Sequence, residues 1–235
     1  MAPTRTADDT HTPLNARRVL DGAVALADRI GMASFTIRNL ADELGVKPMT
    51  IYHHVDGKDA ILDGMVDTVF DQIDLPPQDL DWKAAIRARC LSARTVLARH
   101  PWATPLMESR TSPGPATLHH HDAVLGCLRR GGLSIELTAH AYAILDSYVY
   151  GFALQEATLL VQNETDLGDL AATIMAQFED AYPNLAELTT EYVTQPGYDF
   201  GDSFEIGLDL LLDGIEAAVH HDLGVPHPPV GSDGT

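Results

Sequence analysis

The residues best suited to chemistry with another molecule lie in one stretch, TIRNLADELGVKPMTIYHHVDGK, residues 36–58. Within it Lys47, Met49, Thr50, Tyr52 and His53 crowd into a single short run. Lysine offers charge to a phosphate. Threonine, tyrosine and histidine offer hydrogen bonds to base edges and phosphate oxygens, and methionine offers apolar contact to a thymine methyl. Lys58 stands where a new helix begins, so its ammonium and the helix N-terminus can meet the same phosphate. The chemistry implied is non-covalent recognition of duplex DNA. An ordinary helical hairpin with a solvated second helix would expose similar residues, so the elements that position them must decide.

Those elements are legible. Ile37, Leu40, Ala41 and Leu44 recur at helical spacing and face inward, and Val46 and Ile51 do so on a second short helix. Thr36 is placed to N-cap the first helix and Gly45 to close it. Ala41 is small enough for a close helix crossing. Pro48 falls in the first turn of the second helix, a position that tolerates it, and this helix should end near His53-His54. A preceding helix spans about 14–30, with Val19, Leu20, Ala23, Leu26, Ala27 and Ile30 in phase and Gly31 as its stop. A following one spans 58–73, with Ile61, Leu62, Met65, Val66, Val69 and Phe70 on one side.

Leu75-Pro76-Pro77 interrupts the helical pattern and sets the domain joint. The expected organisation is a disordered N-terminus over 1–12, a helix-turn-helix domain over 13–75, a larger domain over 76–222 and a flexible tail over 223–235. Helical spacing predicts helices over 81–99, 102–108, 115–130, 134–162, 167–180, 183–194 and 200–222. No strand alternation persists, so the fold class is all-α, with the larger domain a helical bundle that dimerises.

The net charge of −19 would by itself argue against nucleic acid. Its distribution reverses that argument, because residues 1–60 carry a net −1 and residues 61–235 a net −18. The N-terminal part is free to present a locally positive face. Two cysteines, Cys90 and Cys127, make no disulfide framework and suit a reducing cytoplasm. The polar N-terminus carries no apolar signal segment, and no apolar run is long enough for a membrane span.

The segment 36–58 resembles the DNA-binding domain of the tetracycline-repressor family. Thr36, Arg38, Leu40, Ala41, Leu44, Gly45, Val46, Thr50, Ile51, Tyr52, His54, Val55 and Lys58 fall in register with that family's pattern. The resemblance implies a DNA face made of Arg38, Lys47, Pro48, Met49, Thr50, Tyr52, His53, His54 and Lys58. Lys47-Pro48-Met49 depart from the best-known member, which implies a different operator. Residues 83–220 resemble the repressor's sensing domain more loosely. By that resemblance the two long C-terminal helices build a four-helix homodimer interface, and a dimer would read a palindromic operator.

In the last helix Phe204, Leu208, Leu211, Ile215 and Val219 form an apolar stripe opposite Asp202, Glu205, Asp209, Asp213 and Glu216. The apolar stripe needs a partner, in its own domain or a second subunit, and the acidic one reads as solvated surface. Tyr142, Asp146 and Tyr150 share one helix face. Asp146 is either satisfied by tyrosine hydroxyls or the other subunit, or it orients a ligand. The expected effector lining is Trp102, Leu106, Met107, Tyr142, Asp146, Tyr150, Phe152, Gln155 and Phe178. Such a lining suits a small apolar effector or a cationic amphiphile.

Aligned with the tetracycline repressor, Met107 stands at its metal-binding histidine, Asp74 at a drug-contacting histidine, and Gln155 next to Glu156 at its metal-binding glutamate. Glu156 is one residue out of step, about 100° round the helix. These departures argue against a magnesium–tetracycline ligand. His119-His120-His121 and His220-His221 lack the i, i+4 spacing of zinc sites and read as surface or core histidines. No cofactor is expected.

No nucleophile elbow, phosphate loop, paired-cysteine motif or HExxH is present, and the bundle lacks Glu-x-x-His pairs, so an enzyme is not indicated. The sequence therefore reads as a ligand-responsive transcriptional repressor. The alternative is a helical small-molecule binding protein without DNA-binding activity, whose recognition helix would be degraded. Thr50-Ile51-Tyr52-His53-His54 is intact.

Overall fold

The structure is a computed structural model that describes residues 13–162 and 181–221. The expected disordered N-terminus, the helix over 167–180 with Phe178, and the flexible tail lie outside the described residues. Among the described residues every regular element is helical.

The first four helices are α1 (Ala16–Ile30), α2 (Ile37–Leu44), α3 (Pro48–Ile51) and α4 (Gly57–Phe70). Local chemistry sets their ends. Asn15 caps α1 by accepting from the Arg18 amide, and Thr36 caps α2 by accepting from the Asn39 amide. Gly45 takes the left-handed conformation (φ 67°, ψ 32°) that a side chain disfavours, and its amide closes onto the Ala41 carbonyl. The α3 helix is shorter than its sequence suggests. A turn begins at Tyr52, and Tyr52 to His54 continue as turn, not helix. Val19, Ala23, Leu40, Ala41, Ile51 and Ile61 are buried and lock α1, α2, α3 and α4 together. Each large aliphatic among them stabilises by about 1.5–3 kcal/mol.

Beyond residue 75 come α5 (Trp82–Arg99), α6 (Ala103–Glu108), α7 (Pro115–Arg130) and α8 (Ile135–Gln162). After the undescribed stretch follow α9 (Pro183–Leu188), a π turn over Thr189–Val193, a short 3-10 turn over Phe200–Asp202, and α10 (Ser203–His221). Asp81 caps α5 by accepting from the Lys83 and Ala84 amides. Helix α5 runs through the middle and packs on α7, α8 and α10. Helix α4 packs on α1 and also on α6 and α7, so it belongs physically to both halves.

The last helix corrects the sequence reading twice. Phe204, Leu208, Leu212 and Ile215 are buried within their own chain, whereas Leu211 and Val219 are only half-buried. The run Leu210-Leu211-Leu212 leaves the helical phase open, and packing against α5 and α8 selects Leu212. The acidic stripe is not merely solvated. Arg87 of α5 meets Glu205 and Asp209, and Lys83 meets Asp213 and Glu216, all at 2.6–2.7 Å. Four carboxylates on one face are thus held by two cations of α5.

Candidate nucleic-acid interface and effector cavity

Helices α2 and α3 and the turn after them present one outward face. Arg38, Lys47, Pro48, Met49, Tyr52, His53, His54 and Lys58 are exposed, and Thr50 is half-buried. Met49 is 68% exposed and stands among these polar groups, where it can meet a thymine methyl. Charge pairing sharpens the picture. Arg17 is held by Asp21 and Asp71, and Arg29 by Glu43. Arg38, Lys47 and Lys58 have no acidic partner among the described residues. In a chain of net charge −19, three unpaired cations around one short exposed helix form the kind of face that meets phosphate.

A second feature begins on the helix that carries Lys58. A cavity of about 340 Å³ opens between α4, α6, the loop 109–114, α7 and α8. Val66, Phe70, Met107 and Pro113 supply apolar walls, and Thr117, His121, Asp146 and Tyr150 the inner polar ones. Of the residues expected to contact an effector, the structure brings Met107, Asp146 and Tyr150 together here.

The others are placed elsewhere. Trp102 is buried with its Nε1 donating to Asp28 of α1 at 2.7 Å. Phe152 is sandwiched in the core, stacked on Phe200 at 4.7 Å and under the Arg94 guanidinium. Leu106 packs on the core and Gln155 is exposed. Tyr142 stands behind the lining with its ring edge-on to His121. Phe178 lies outside the described residues. Glu156, next to Gln155, is taken up by a bidentate pair with Arg94 at 2.6 and 3.2 Å.

Beneath the cavity sits a residue that sequence reasoning missed. Arg89 of α5 is 1% exposed and donates to Asp146 Oδ1 at 3.2 Å and to His120 Nε2 at 3.3 Å. The carboxylate that seemed alone in apolar company is met from another helix. Burial and the Asp146 charge push the Tyr142 and Tyr150 hydroxyls up, so both stay protonated. Burial, then the Arg89 charge, push His120 down to about 3. His120 is therefore neutral and can accept from Arg89. One signal was available: an arginine in the apolar phase of a core helix, between Ile86 and Cys90, calls for a buried anion.

This pKa has a consequence. The unfolded chain protonates at His120 near pH 6.5, and the folded one refuses the proton until about pH 3. Between those values the unfolded state binds more protons, so stability falls as pH falls through that window. The expected loss from this group at pH 5 is about 2 kcal/mol. Urea denaturation at pH 7.5 and pH 5 should show a smaller pH difference in His120→Asn than in the unsubstituted protein. An equal difference in both would remove His120 from the acid response.

The cavity is wired to α4. Asp67 of α4 accepts from the Ala116 and Thr117 amides at 3.2 and 2.8 Å, capping α7 from another helix. Gly114 lies against the same carboxylate, where a Cβ would clash with it. Arg110, in the loop, donates to Asp63 at 2.5 Å and to Asp59 at 3.1 Å, both on α4. Asp28 of α1 is a third tie, bonded at 2.7 Å to both Trp102 and His100.

Two family models match the chain. Residues 19–65 match bacterial regulatory proteins of the tetR family, and residues 75–219 match the tetracyclin repressor-like C-terminal domain. The chain belongs to the tetR family of regulators. Its membership makes it a DNA-binding transcriptional regulator of the ligand-responsive repressor type, and not an enzyme. It is 32% identical over 225 residues to the HTH-type transcriptional repressor DrrR1 of Streptomyces coeruleorubidus, covering 92% of this chain and 82% of that protein. It is 28% identical over 211 residues to the class C tetracycline repressor of Escherichia coli, covering 86% and 91%. Among solved structures it resembles the TetR family protein ActR of Streptomyces coelicolor in complex with actinorhodin, with TM-score 0.74 and 26% identity over 88% of this chain and 99% of that one. No described helix of this regulator is long and apolar enough to cross a membrane.

Proposed function

We propose that this tetR-family chain is a homodimeric, cytoplasmic repressor released from a palindromic operator by a neutral organic effector bound in the cavity under α4. We divide the chain into a DNA-reading domain over 13–75 and a sensing and dimerisation domain over 76–222. The DNA contacts are Arg38, Lys47, Pro48, Met49, Thr50, Tyr52, His53, His54 and Lys58. The effector contacts are Met107 and Tyr150, with Val66, Phe70 and His121 in place of Trp102 and Phe152.

One observation carries the reading. Helix α4 holds Lys58 in its first turn, and Asp63, Val66 and Phe70 of the same helix wall the cavity. An effector that favours a different seat for α4 shifts the population of DNA-binding geometries. The cationic-amphiphile form of the effector loses its motive, because Arg89 already meets the Asp146 charge. Filling the cavity tests the coupling. Val66→Trp should still bind operator but resist release by any effector found in a thermal-shift screen. Loss of DNA binding together with effector response would show that Val66 matters only to the fold. Magnesium–tetracycline should neither raise the melting temperature nor release DNA, since Met107 and Gln155 are poor partners for a hard cation.

The dimer face is the outer side of α8 and α10. Ile206 and Leu210 are 62% and 68% exposed, and Ile144 and Leu154 on α8 are exposed too. Leu210→Asp should therefore give folded monomers in analytical ultracentrifugation, whereas Leu208→Asp should unfold the chain, its site being fully buried. An unsubstituted protein that sediments as a monomer at micromolar concentration would remove the dimer.

A further inference from the structure

The cavity's inner polar groups are nearly all committed. Asp63 is held by Arg110, Asp146 by Arg89, and the Thr117 hydroxyl donates to Asp67. Two are not. The Tyr150 hydroxyl is buried without a hydrogen-bond partner. The His121 ring is half-buried and lines the cavity, and neither of its nitrogens has a hydrogen-bond partner among the described residues. The ring is fixed by edge contacts at 5.6 Å to Phe70 on one side and Tyr142 on the other. An imidazole seated between two rings, with its nitrogens reaching solvent at the edge of an apolar space, is placed to exchange water for a ligand's hydrogen bond.

We infer that His121 is the polar recognition group of the cavity and selects effectors made of a neutral aromatic body carrying a hydroxyl. This deepens the effector reading above and rests on it. Burial lowers the His121 pKa, with the Arg89 charge adding to this and Asp146 opposing it, so the ring is uncharged at neutral pH. It then offers one acceptor and one donor. A phenolic hydroxyl donates to the acceptor nitrogen while its ring lies among Val66, Phe70 and Met107. The Tyr150 hydroxyl, in the floor beside Arg89 and Asp146, is the second unpaired group that a further oxygen on the ligand would engage. An anionic effector finds no free counter-charge, since Arg110 is taken up by Asp63 and Asp59 and Arg89 by Asp146, while Glu108 also borders the space. A bare hydrocarbon fits the walls but leaves the imidazole unpaired.

The test uses two tricyclic probes of matched shape, 9-phenanthrol and 9-methylphenanthrene, titrated into the 235-residue protein by calorimetry. The hydroxyl compound should bind about five- to tenfold more tightly, the factor of one net hydrogen bond. His121→Phe, which keeps the ring edges to Phe70 and Tyr142, should erase the preference without abolishing hydrocarbon binding. His121→Gln, which keeps an acceptor, should retain part of it. In case a variant fails to fold, the imidazole resonances of His121 provide a second readout in the unsubstituted protein. They should shift on adding 9-phenanthrol and stay put with 9-methylphenanthrene. Equal affinity for both probes, or a preference that survives His121→Phe, overturns the role of His121 while leaving the cavity as the effector site. Binding of neither probe overturns the cavity itself, and this inference with it.

Discussion

Replacing Arg89 by methionine should lower stability by about 3–5 kcal/mol. The guanidinium is buried under the cavity between Asp146 and His120. Methionine fills much of its volume but leaves the Asp146 carboxylate without its counter-charge. Asp146 is mostly buried, so it must either stay ionised in poor company or take up a proton. For a chain of this size the melting temperature should drop by roughly 10 °C. The control is Arg89→Met/Asp146→Leu, which removes both charges and should recover most of the loss. If the double variant is as unstable as the single one, the cost lies in packing and not in the broken pair. Effector binding should also suffer in Arg89→Met, because Asp146 and Tyr150 border the cavity from the same cluster.

The second large effect concerns DNA. Replacing Arg38, Lys47 and Lys58 together by alanine should abolish measurable operator binding at physiological salt. None of the three has an acidic partner among the described residues, so their removal disturbs no ion pair there. Each good contact is worth roughly 1–3 kcal/mol per subunit. A dimer loses six charges, and the log–log salt slope should flatten by about five if all six meet phosphates. The variant should melt within a few degrees of the unsubstituted protein. Retained affinity would mean that the basic face is elsewhere. Tyr52→Ala should act differently, weakening binding by roughly 1–3 kcal/mol with little change in slope if it contacts a base.

What the sequence disclosed follows the range of the interactions involved. The Thr36 cap and the Gly45 turn are local, decided within four residues, and both appear where periodicity placed them. The described helices of the second domain start and stop close to the sequence expectation for the same reason. The site under α4 was half legible. Met107 and Tyr150 were named from soft and aromatic character and Asp146 as a carboxylate in apolar company, and the three do meet. Trp102 and Phe152 have the same character but are spent on Asp28 and on the Phe200–Phe204 cluster. Composition cannot separate a lining aromatic from a core one.

Arg89 and Asp146 are 57 residues apart on different helices, and pairing at that distance leaves no spacing pattern. His121 was legible only as one of three adjacent histidines. Their helical fan puts His119 outside, His120 in the core and His121 at the cavity. The apolar stripe of α10 was read as needing cover from its own domain or a second subunit, and its own chain covers Phe204, Leu208 and Ile215. The face left open, with Ile206 and Leu210, lay on the side that the pattern made look incidental.

If helix α4 joins the DNA-reading face to the cavity, a ligand in the cavity must weaken the grip on operator. The most direct measurement is operator affinity against effector concentration by fluorescence anisotropy, on a duplex recovered by selection from genomic DNA. The effector is 9-phenanthrol or a tighter hit from the thermal-shift screen. Binding should be salt-dependent, weakened at least tenfold by the ligand in the unsubstituted protein and unchanged by it in Val66→Trp. A ligand that binds the cavity and raises the melting temperature, yet leaves operator affinity untouched, would contradict the link through α4.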